Sequence, residues 1–512
     1  MKKYYLTTPI FYASAKPQLG NAYSALLADT IARYKKLKGY DVVFQTGMDE
    51  HGKKVQLKAE ENNQNPQDFV DGISLEVKRV LESINIDYDV FARTTNPIHK
   101  EKVQKIFQKL YDKKDIYLGE YEGYYCTPCE SFFTNSQLID GKCPDCGREV
   151  QKTKEEAYFL NLKKYEKWLK NYIETHEEFI VPKERRNEML KFIDQGLDDL
   201  CISRTSFDWG IKVPFDEKHV IYVWLDALTN YITFEGYLSD EERFNKYWPA
   251  DLHIVGKDIL RFHTIYWPIM LKALDLPLPK QVLAHPFLVD EKGGKMSKSK
   301  GNVLYADELT QKYGIDAIRY YLLSELGIHH DGGVSENLII ERYNSDLANT
   351  LGNLVNRTIG MSKKYFDKEV YKPKQFENID KEIIEMAKTL SDRVDKKINE
   401  LKISEALEEI MKLLKRCNKY IDETEPWILA KDENKKERLK TVLYNLIESI
   451  RISAVFLYPF MPETSDKIFK QLNTQNRDIE STKTFEGMDP GIILNEPEII
   501  FQRIEKKDFI KE

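Results

Sequence analysis

The chain has 512 residues, and at roughly 150 per domain that makes two to four domains, which excludes a single small module. With 42% hydrophobic, 31% charged and 12% aromatic residues it is composed like an ordinary folded globular protein, and a disordered or fibrous chain is excluded. The balance of 77 Lys and Arg against 83 Asp and Glu gives a net charge of −6, so a wholesale basic surface is excluded and any nucleic-acid partner must be met by local patches. No run approaches the roughly 18 consecutive apolar residues of a membrane span, and Met1-Lys2-Lys3 leads straight into Tyr4-Tyr5-Leu6 without a signal-peptide core. No membrane partner and a cytoplasmic location are expected.

In chain order, residues 4–11 read as a buried strand, 12–19 as a loop, 20–37 as a helix with Ala22, Leu26, Ile31 and Tyr34 near one face, and 41–47 as a second strand. This β-α-β unit opens a parallel, doubly wound sheet whose first helix N-terminus can receive an anion. Four of the six cysteines follow close together. Cys126-Thr-Pro-Cys129 and Cys143-Pro-Asp-Cys146 form two short knuckles whose thiolates can converge on zinc, with Pro128, Pro144 and Gly147 supplying the tight turns. Four thiolates leave no open coordination position, so this zinc is structural. Cys201 and Cys417 read as ordinary small side chains. The segments 220–225, 252–256 and 281–289, with a helix over 258–273, read as more of the same sheet resumed after the cysteine segment. Beyond about residue 340 the pattern turns to long helices, marked by Leu347, Leu351, Leu354 and Thr358, a Lys/Glu-rich stretch over 363–402 and a helix around 405–421. This is a helical bundle whose charge runs read as solvated faces.

Gly293-Gly294-Lys295-Met296-Ser297-Lys298-Ser299-Lys300-Gly301-Asn302 packs three lysines and two serines into a glycine-bracketed loop, suited to closing over a polyphosphate. The string resembles the K-M-S-K-S motif of class I aminoacyl-tRNA synthetases, and the chain as a whole resembles the methionyl-tRNA synthetase family. Thr46-Gly47-Met48-Asp49-Glu50-His51-Gly52 is similar to that family's T-G-x-D-E-H-G. Tyr222-Val223-Trp224-Leu225-Asp226-Ala227, Gly256-Lys257-Asp258, Phe262-His263-Thr264-Ile265-Tyr266-Trp267-Pro268 and Tyr343-Asn344-Ser345-Asp346-Leu347-Ala348-Asn349 match later motifs in order.

One motif departs. Where the family has H-I-G-H, this chain has Gln18-Leu19-Gly20-Asn21: the glycine is kept and both histidines are replaced by amides. The histidines act mainly as hydrogen-bond donors to ATP, and side-chain amides are donors too, so activity is expected.

The resemblance implies an α/β Rossmann-type parallel-sheet catalytic domain with an inserted zinc-knuckle connective domain, followed by an all-α helical-bundle anticodon-binding domain. The implied boundaries are 1–114 and 215–290 for the two catalytic halves, 115–214 for the insertion, 291–345 for the phosphate loop and stem-contact region, and 346–512 for the helical domain. The implied reaction is ligation of methionine to methionine tRNA through methionyl adenylate, by a monomer using structural zinc and magnesium bound with ATP. Gln18, Gly20, Asn21, Lys295 and Lys298 are expected to act on ATP and the leaving pyrophosphate, and Gly256 and Asp258 on the ribose. Around methionine the resemblance places the main chain of Ile10, the ring of Tyr12, Asp49 for the ammonium group, and Trp224, Ala227, Leu228, Tyr231, Ile259, Phe262, His263 and Trp267 for the side chain. Sulfur contacts with aromatic edges suit such a pocket. At the anticodon, the resemblance makes Asn418 a candidate base reader and Trp427 a candidate stacking platform or a core residue, and it places Phe485 where the family tends to have a stacking tryptophan.

A zinc-dependent nucleic-acid-binding module would account for the knuckles and leave the phosphate loop and sheet unexplained. Within the synthetases, the segment 115–214 is too short for the editing insertion of the isoleucine, leucine and valine enzymes. The cysteine enzyme would place its metal at the substrate with scattered ligands.

Overall fold

The computed structural model describes residues 1–127, 131–133, 135–144, 146–290, 293–294 and 303–505. Cys129, Lys295 and Lys298 therefore lie outside the described residues. Two compact units are formed, one from residues 1–28, 41–82 and 86–285, the other from 29–40, 83–85 and 286–512.

The first unit is built on seven parallel strands among the described residues: β1 (Lys3–Thr7), β2 (Phe11–Tyr12), β3 (Asp41–Asp49), β4 (Val90–Arg93), β5 (Ile180–Val181), β6 (Leu252–Gly256) and β7 (Val282–His285). The interior strands are buried along most of their length because both faces are covered, as in Val42-Val43-Phe44 and all of Leu252–Gly256. Helix α1 (Leu19–Leu37) connects β1 to β3 on one side, while β6 and then β7 extend the sheet on the other side of β1. The order of connection reverses at β1 and β6, and the carboxyl ends of these strands form the crevice where doubly wound sheets bind ligands.

The expected strand over 4–11 is broken. Thr7 pairs with Gln45 and Phe11 with Met48, so the first strand carries one extra residue relative to β3 across Thr8-Pro9-Ile10. Pro9 has no N–H to give to the ladder, and a bulge here re-aims Ile10 and Tyr12. The segment 281–289 is likewise two strands, β7 ending at His285 and Leu288–Val289 pairing instead with Gly332–Gly333, with Pro286 between them. A larger correction concerns 220–225. The strand there runs Asp216–Ile221 and belongs to a separate antiparallel sheet with Ser203–Arg204 and Lys212–Val213. Val223–Thr233 is a helix, α2. A short apolar run cannot by itself distinguish a buried strand from a buried helix, and the i, i+3, i+4, i+7 spacing of Trp224, Ala227, Leu228 and Tyr231 fits the helix. The expected helix over 258–273 is a 3₁₀ turn (Lys257–Ile259), a π turn (Phe262–Tyr266) and an α-helix (Trp267–Ala273).

The cysteine segment sits on a long antiparallel ladder, Ile116–Cys126 against Gln151–Leu160, in a four-stranded sheet with Ser131–Phe133 and Leu200–Cys201.

The second unit is helical. Helix Ile403–Thr424 buries Leu407, Ile410, Met411, Leu414, Cys417 and Ile421 at helical spacing. Helix Lys436–Leu457 is buried almost throughout and so forms the unit's core. Its charged residues are matched within the unit: Arg438 makes a forked contact with Asp380 at 2.6 and 2.9 Å, and Arg451 with Glu448 at 2.7 and 2.8 Å. The fully buried guanidinium of Arg319 bonds Asp29 at 2.7 Å and the carbonyls of Phe460, Pro459 and Ile84, so the buried charge is both paired and solvated by backbone.

Candidate active site

Three backbone features open the crevice at the carboxyl end of the sheet. The bulge after β1 presents Ile10 and Tyr12, both half-buried, and Ala13 N–H donates to Asp49 C=O at 2.9 Å. At Gly47 a side chain would meet the Ala92 carbonyl oxygen at 2.0 Å, so glycine is what permits the Gly47–Ala92 pairing of β3 with β4. Beyond β3, Glu50 is anchored toward β4, its carboxylate accepting from Arg93 Nε at 2.7 Å and Thr95 Oγ1 at 2.5 Å. Successive residues of an extended segment face opposite ways, so Glu50 directed to that side leaves Asp49 and His51 to the other.

The side-chain wall comes from α2 and the π turn. Trp224 stacks on Phe262 with ring centroids 3.6 Å apart and planes 12° from parallel. Ala227, Leu228 and Tyr231 are buried along the same helix face. Tyr231 Oη donates to His263 Nε2 at 2.8 Å, and His263 Nδ1–H donates to the Ile259 carbonyl at 3.0 Å, which fixes the imidazole tautomer. Burial pushes the His263 ring down to about 4 and the Tyr231 hydroxyl well up, with the nearby Asp49 charge adding to the latter, so both are neutral at pH 7. Trp267 is fully buried behind this layer. Its indole N–H donates to His253 Nε2 at 3.2 Å, and His253 Nδ1–H then donates to Thr7 Oγ1 at 2.6 Å. A π turn in this position matches the tendency of such turns to occur at functional sites.

On the nucleotide side, α1 begins at Leu19 and points its N-terminus at the sheet's carboxyl edge. Asn21 is exposed and Gln18 half-buried. Asn21 Oδ1 accepts from the Gln18 backbone N–H at 3.0 Å, which orients the amide and leaves its NH2 edge as a donor. At Gly256 a side chain would lie 2.5 Å from Asp258 Oδ1, so the glycine lets that carboxylate fold back over the end of β6. Ser24 and His285 meet at 2.6 Å between α1 and the end of β7. Tyr23 packs edge-on against the same imidazole, 5.1 Å between centroids.

Away from this crevice, Cys126, Cys143 and Cys146 place their sulfurs within 4.8 Å of one another. Cys126 and Cys146 are 3.6 Å apart, far beyond a disulfide and near the roughly 3.8 Å edge of a tetrahedron with metal–sulfur bonds of about 2.3 Å. The turn Cys143–Gly147 is closed by Gly147 N–H to Cys143 C=O at 2.9 Å with Gly147 at φ +70°. These donors fit a thiophilic metal. In the second unit, Asn418 Nδ2 donates to the carbonyls of Thr350 at 3.0 Å and Leu414 at 3.1 Å. Trp427 is 39% exposed, whereas Phe485 is buried, edge-on to Tyr444.

Several site-forming residues carry no signal in sequence spacing: His253 and Thr7 behind the pocket, Arg93 and Thr95 on Glu50, and His99 beside Asp226. His51 and Asp226 lie inside recognisable motifs, but nothing in the sequence pairs them.

A doubly wound parallel sheet with an aromatic wall at the carboxyl ends of its strands is the architecture of a Rossmann-type ligand-binding domain. The family model described as tRNA synthetases class I (M) matches residues 4–156 and 148–359, and that described as the anticodon binding domain of methionyl tRNA ligase matches 372–511. The methionine–tRNA ligase of Clostridium acetobutylicum is 56% identical over 100% of this chain and 80% of its own length, and that of Bacillus subtilis 48% over 99% and 79%. The solved structure of Mycobacterium tuberculosis methionyl-tRNA synthetase in complex with methionyl-adenylate is 40% identical, with a TM-score of 0.94 over 98% of this chain and 100% of that one. The chain belongs to the class I methionyl-tRNA synthetase family.

Proposed function

We propose that the chain is a methionine–tRNA ligase. The carrying observation is the aromatic cluster of Trp224, Phe262, Tyr231 and His263, with the Asp49 charge near enough to act on the Tyr231 hydroxyl, in a fold matched at 0.94 by a methionyl-adenylate complex. In the first step a methionine carboxylate oxygen bonds to the α-phosphorus of ATP and the bond to the β-phosphate breaks, releasing pyrophosphate. In the second, a hydroxyl of the terminal tRNA ribose bonds to the acyl carbon and AMP leaves. The chain's contribution is positioning and charge stabilisation.

Asp49 takes the substrate ammonium, with the main chain of Ile10 and the ring of Tyr12 alongside. Trp224, Ala227, Leu228, Tyr231, Ile259, Phe262, His263 and, from behind, Trp267 enclose the thioether. Gln18 and Asn21 donate to ATP above Gly20, Gly256 and Asp258 hold the ribose, and Lys295 and Lys298 act on the departing pyrophosphate. Magnesium bound with ATP supplies further neutralisation of the phosphates. Activation is assigned to 1–114 and 215–290, the zinc knuckle to 115–214, the phosphate loop to 291–345 and tRNA recognition to 346–512. There Asn418 and Trp427 meet the anticodon. The enzyme acts as a cytoplasmic monomer. Among the described residues no helix is long and apolar enough to cross a membrane.

ATP–pyrophosphate exchange assayed across the amino acids tests the reading. Methionine should support exchange at roughly 1 s⁻¹ or faster, and the other amino acids far less. Exchange with a different amino acid, or with none, overturns it.

Zinc in the knuckle has its own readout. The purified chain should carry about one zinc atom, and the double variant Cys126→Ser, Cys143→Ser should lose it together with thermal stability. Unchanged zinc content in that variant removes these cysteines as ligands.

A further inference from the structure

Three buried ionisable side chains from three separate elements meet behind the Asp49 turn. His51 follows β3, His99 lies in the helix Pro97–Asp112, and Asp226 is on α2. His51 Nδ1 lies 2.6 Å from Asp226 Oδ2, His99 Nε2 lies 2.7 Å from Asp226 Oδ1, and His99 Nδ1 lies 2.7 Å from Thr233 Oγ1. Each carboxylate oxygen receives one imidazole N–H, and His99 Nδ1 meets the Thr233 hydroxyl. Burial would raise the Asp226 carboxyl, but the charge and hydrogen bond of His51, followed by those of His99, outweigh it and hold the group at about 2. The carboxylate is therefore ionised.

His51 Nε2 is buried and has no hydrogen-bond partner among the described residues, so the hydrogen bond that orients the ring there is the one to Asp226. Trp209 packs edge-on against it at 5.4 Å between centroids, and the Trp209 carbonyl accepts from Gly52 N–H at 3.1 Å. The turn from Asp49 to Gly52 is thus held from two sides, Glu50 toward β4 and His51 toward α2. Burying such an array costs desolvation that a hydrophobic substitute would not, and what the array supplies in return is a fixed orientation.

We propose that Asp226 is a positioning residue for the substrate ammonium. It ties the Asp49 turn, through His51, to the helix that carries Trp224, Ala227, Leu228 and Tyr231. One carboxylate thereby sets the distance between the site for the ammonium end of the amino acid and the wall for its thioether end. This rests on the reading of Asp49 and the pocket under Proposed function.

Asp226→Asn keeps the shape but replaces one acceptor oxygen by NH2, so it cannot accept from both imidazole N–H groups. The KM for methionine should rise about tenfold or more, the KM for ATP should stay within about twofold, and kcat should fall less than the methionine KM rises. The deciding comparison uses 4-(methylthio)butanoate, which is methionine without its ammonium group, as a competitive inhibitor. Its Ki should stay within about twofold of the parent value, because only the ammonium depends on Asp49. Asp49→Asn should show the same selectivity with a larger effect. If Asp226→Asn does not fold by circular dichroism, His51→Leu, which fills the space and removes the donor to Asp226, is read in the same way. A penalty shared equally by methionine and its deaminated analogue, or no penalty for methionine, overturns the proposal. A parent chain that fails to exchange pyrophosphate with methionine strikes the proposed function instead, whereas an active parent with an unselective variant strikes this inference alone.

Discussion

Replacing Lys298 by alanine is expected to slow adenylate formation by about 10²–10³ while methionine affinity changes by less than about threefold. As the bond between the α- and β-phosphates breaks, negative charge accumulates on the departing pyrophosphate. On the proposed function the Lys298 ammonium meets those oxygens, and it stabilises the transition state more than the bound ground state. Removing it costs a charge-assisted contact in a water-poor site, which is worth roughly 3–4 kcal/mol on the scale of lost transition-state donors. Single-turnover measurement of adenylate formation separates this from product release, and methionine binding by calorimetry separates it from damage to the pocket. Lys298→Arg should recover part of the rate, since the charge remains and only its placement shifts. Equal activation rates in parent and alanine variant would remove Lys298 from the mechanism.

The residues of this site divide according to how local their signal is. The proposed Gln18–Asn21, Asp49, Gly256, Asp258 and the lysines of 293–302 each lie in a short contiguous string, and so does the face of α2, where Trp224, Ala227, Leu228 and Tyr231 recur at helical spacing. The β1–α1–β3 unit was legible for the same reason, its apolar pattern being continuous over each element. The errors arise where a local signal was ambiguous. Val220–Leu225 is a run of β-branched, aromatic and aliphatic residues that suits a strand or a buried helix equally, and the chain divides it between the two. Pro9 and Pro286 mark real interruptions inside segments whose hydrophobicity is otherwise continuous, because a strand ladder needs the N–H that proline lacks.

What could not be read is the layer behind the site. His51, His99 and Asp226 are spread over 175 residues, and their meeting is decided by the sheet and its helices. The same holds for Trp267, His253 and Thr7, linked by two hydrogen bonds across three elements. A histidine taken singly reads as a satisfied core residue, and His99 and His253 are that, whereas His51 Nε2 is buried with no hydrogen-bond partner among the described residues. Its role appears only when the partner's own position is known, as with Trp267, which forms the pocket's backing through an indole N–H already committed to His253. Phe485 carries the converse lesson: sequence places an aromatic residue near the anticodon end, but its burial against Tyr444 depends on packing that composition does not reveal.

Gln18 and Asn21 are where the chain departs from its family's motif, so the donor-replacement account is most exposed there. Asn21 accepts the Gln18 backbone N–H through Oδ1, which fixes the amide with its NH2 edge available, and Gln18 sits half-buried just before the first turn of α1. The helix N-terminus already favours phosphate, and two amide donors beside it add directed hydrogen bonds without adding charge. Gln18→Ala and Asn21→Ala should each slow the first step by about 10–10³, because a donor aimed at the phosphates is lost and nothing charged is left unpaired. Asn21→Ala should also loosen the start of α1, since the cap on the Gln18 N–H goes with it, at about 1 kcal/mol of stability. Gln18→His should be tolerated, as an imidazole N–H can occupy a similar donor position. Asn21→Asp provides the sharpest contrast: the carboxylate still accepts from Gln18 N–H and so keeps the helix start, but it offers no donor and repels the triphosphate. If activation survives in Asn21→Asp at the parent rate, the amide is not a donor to ATP and Asn21 serves only the helix.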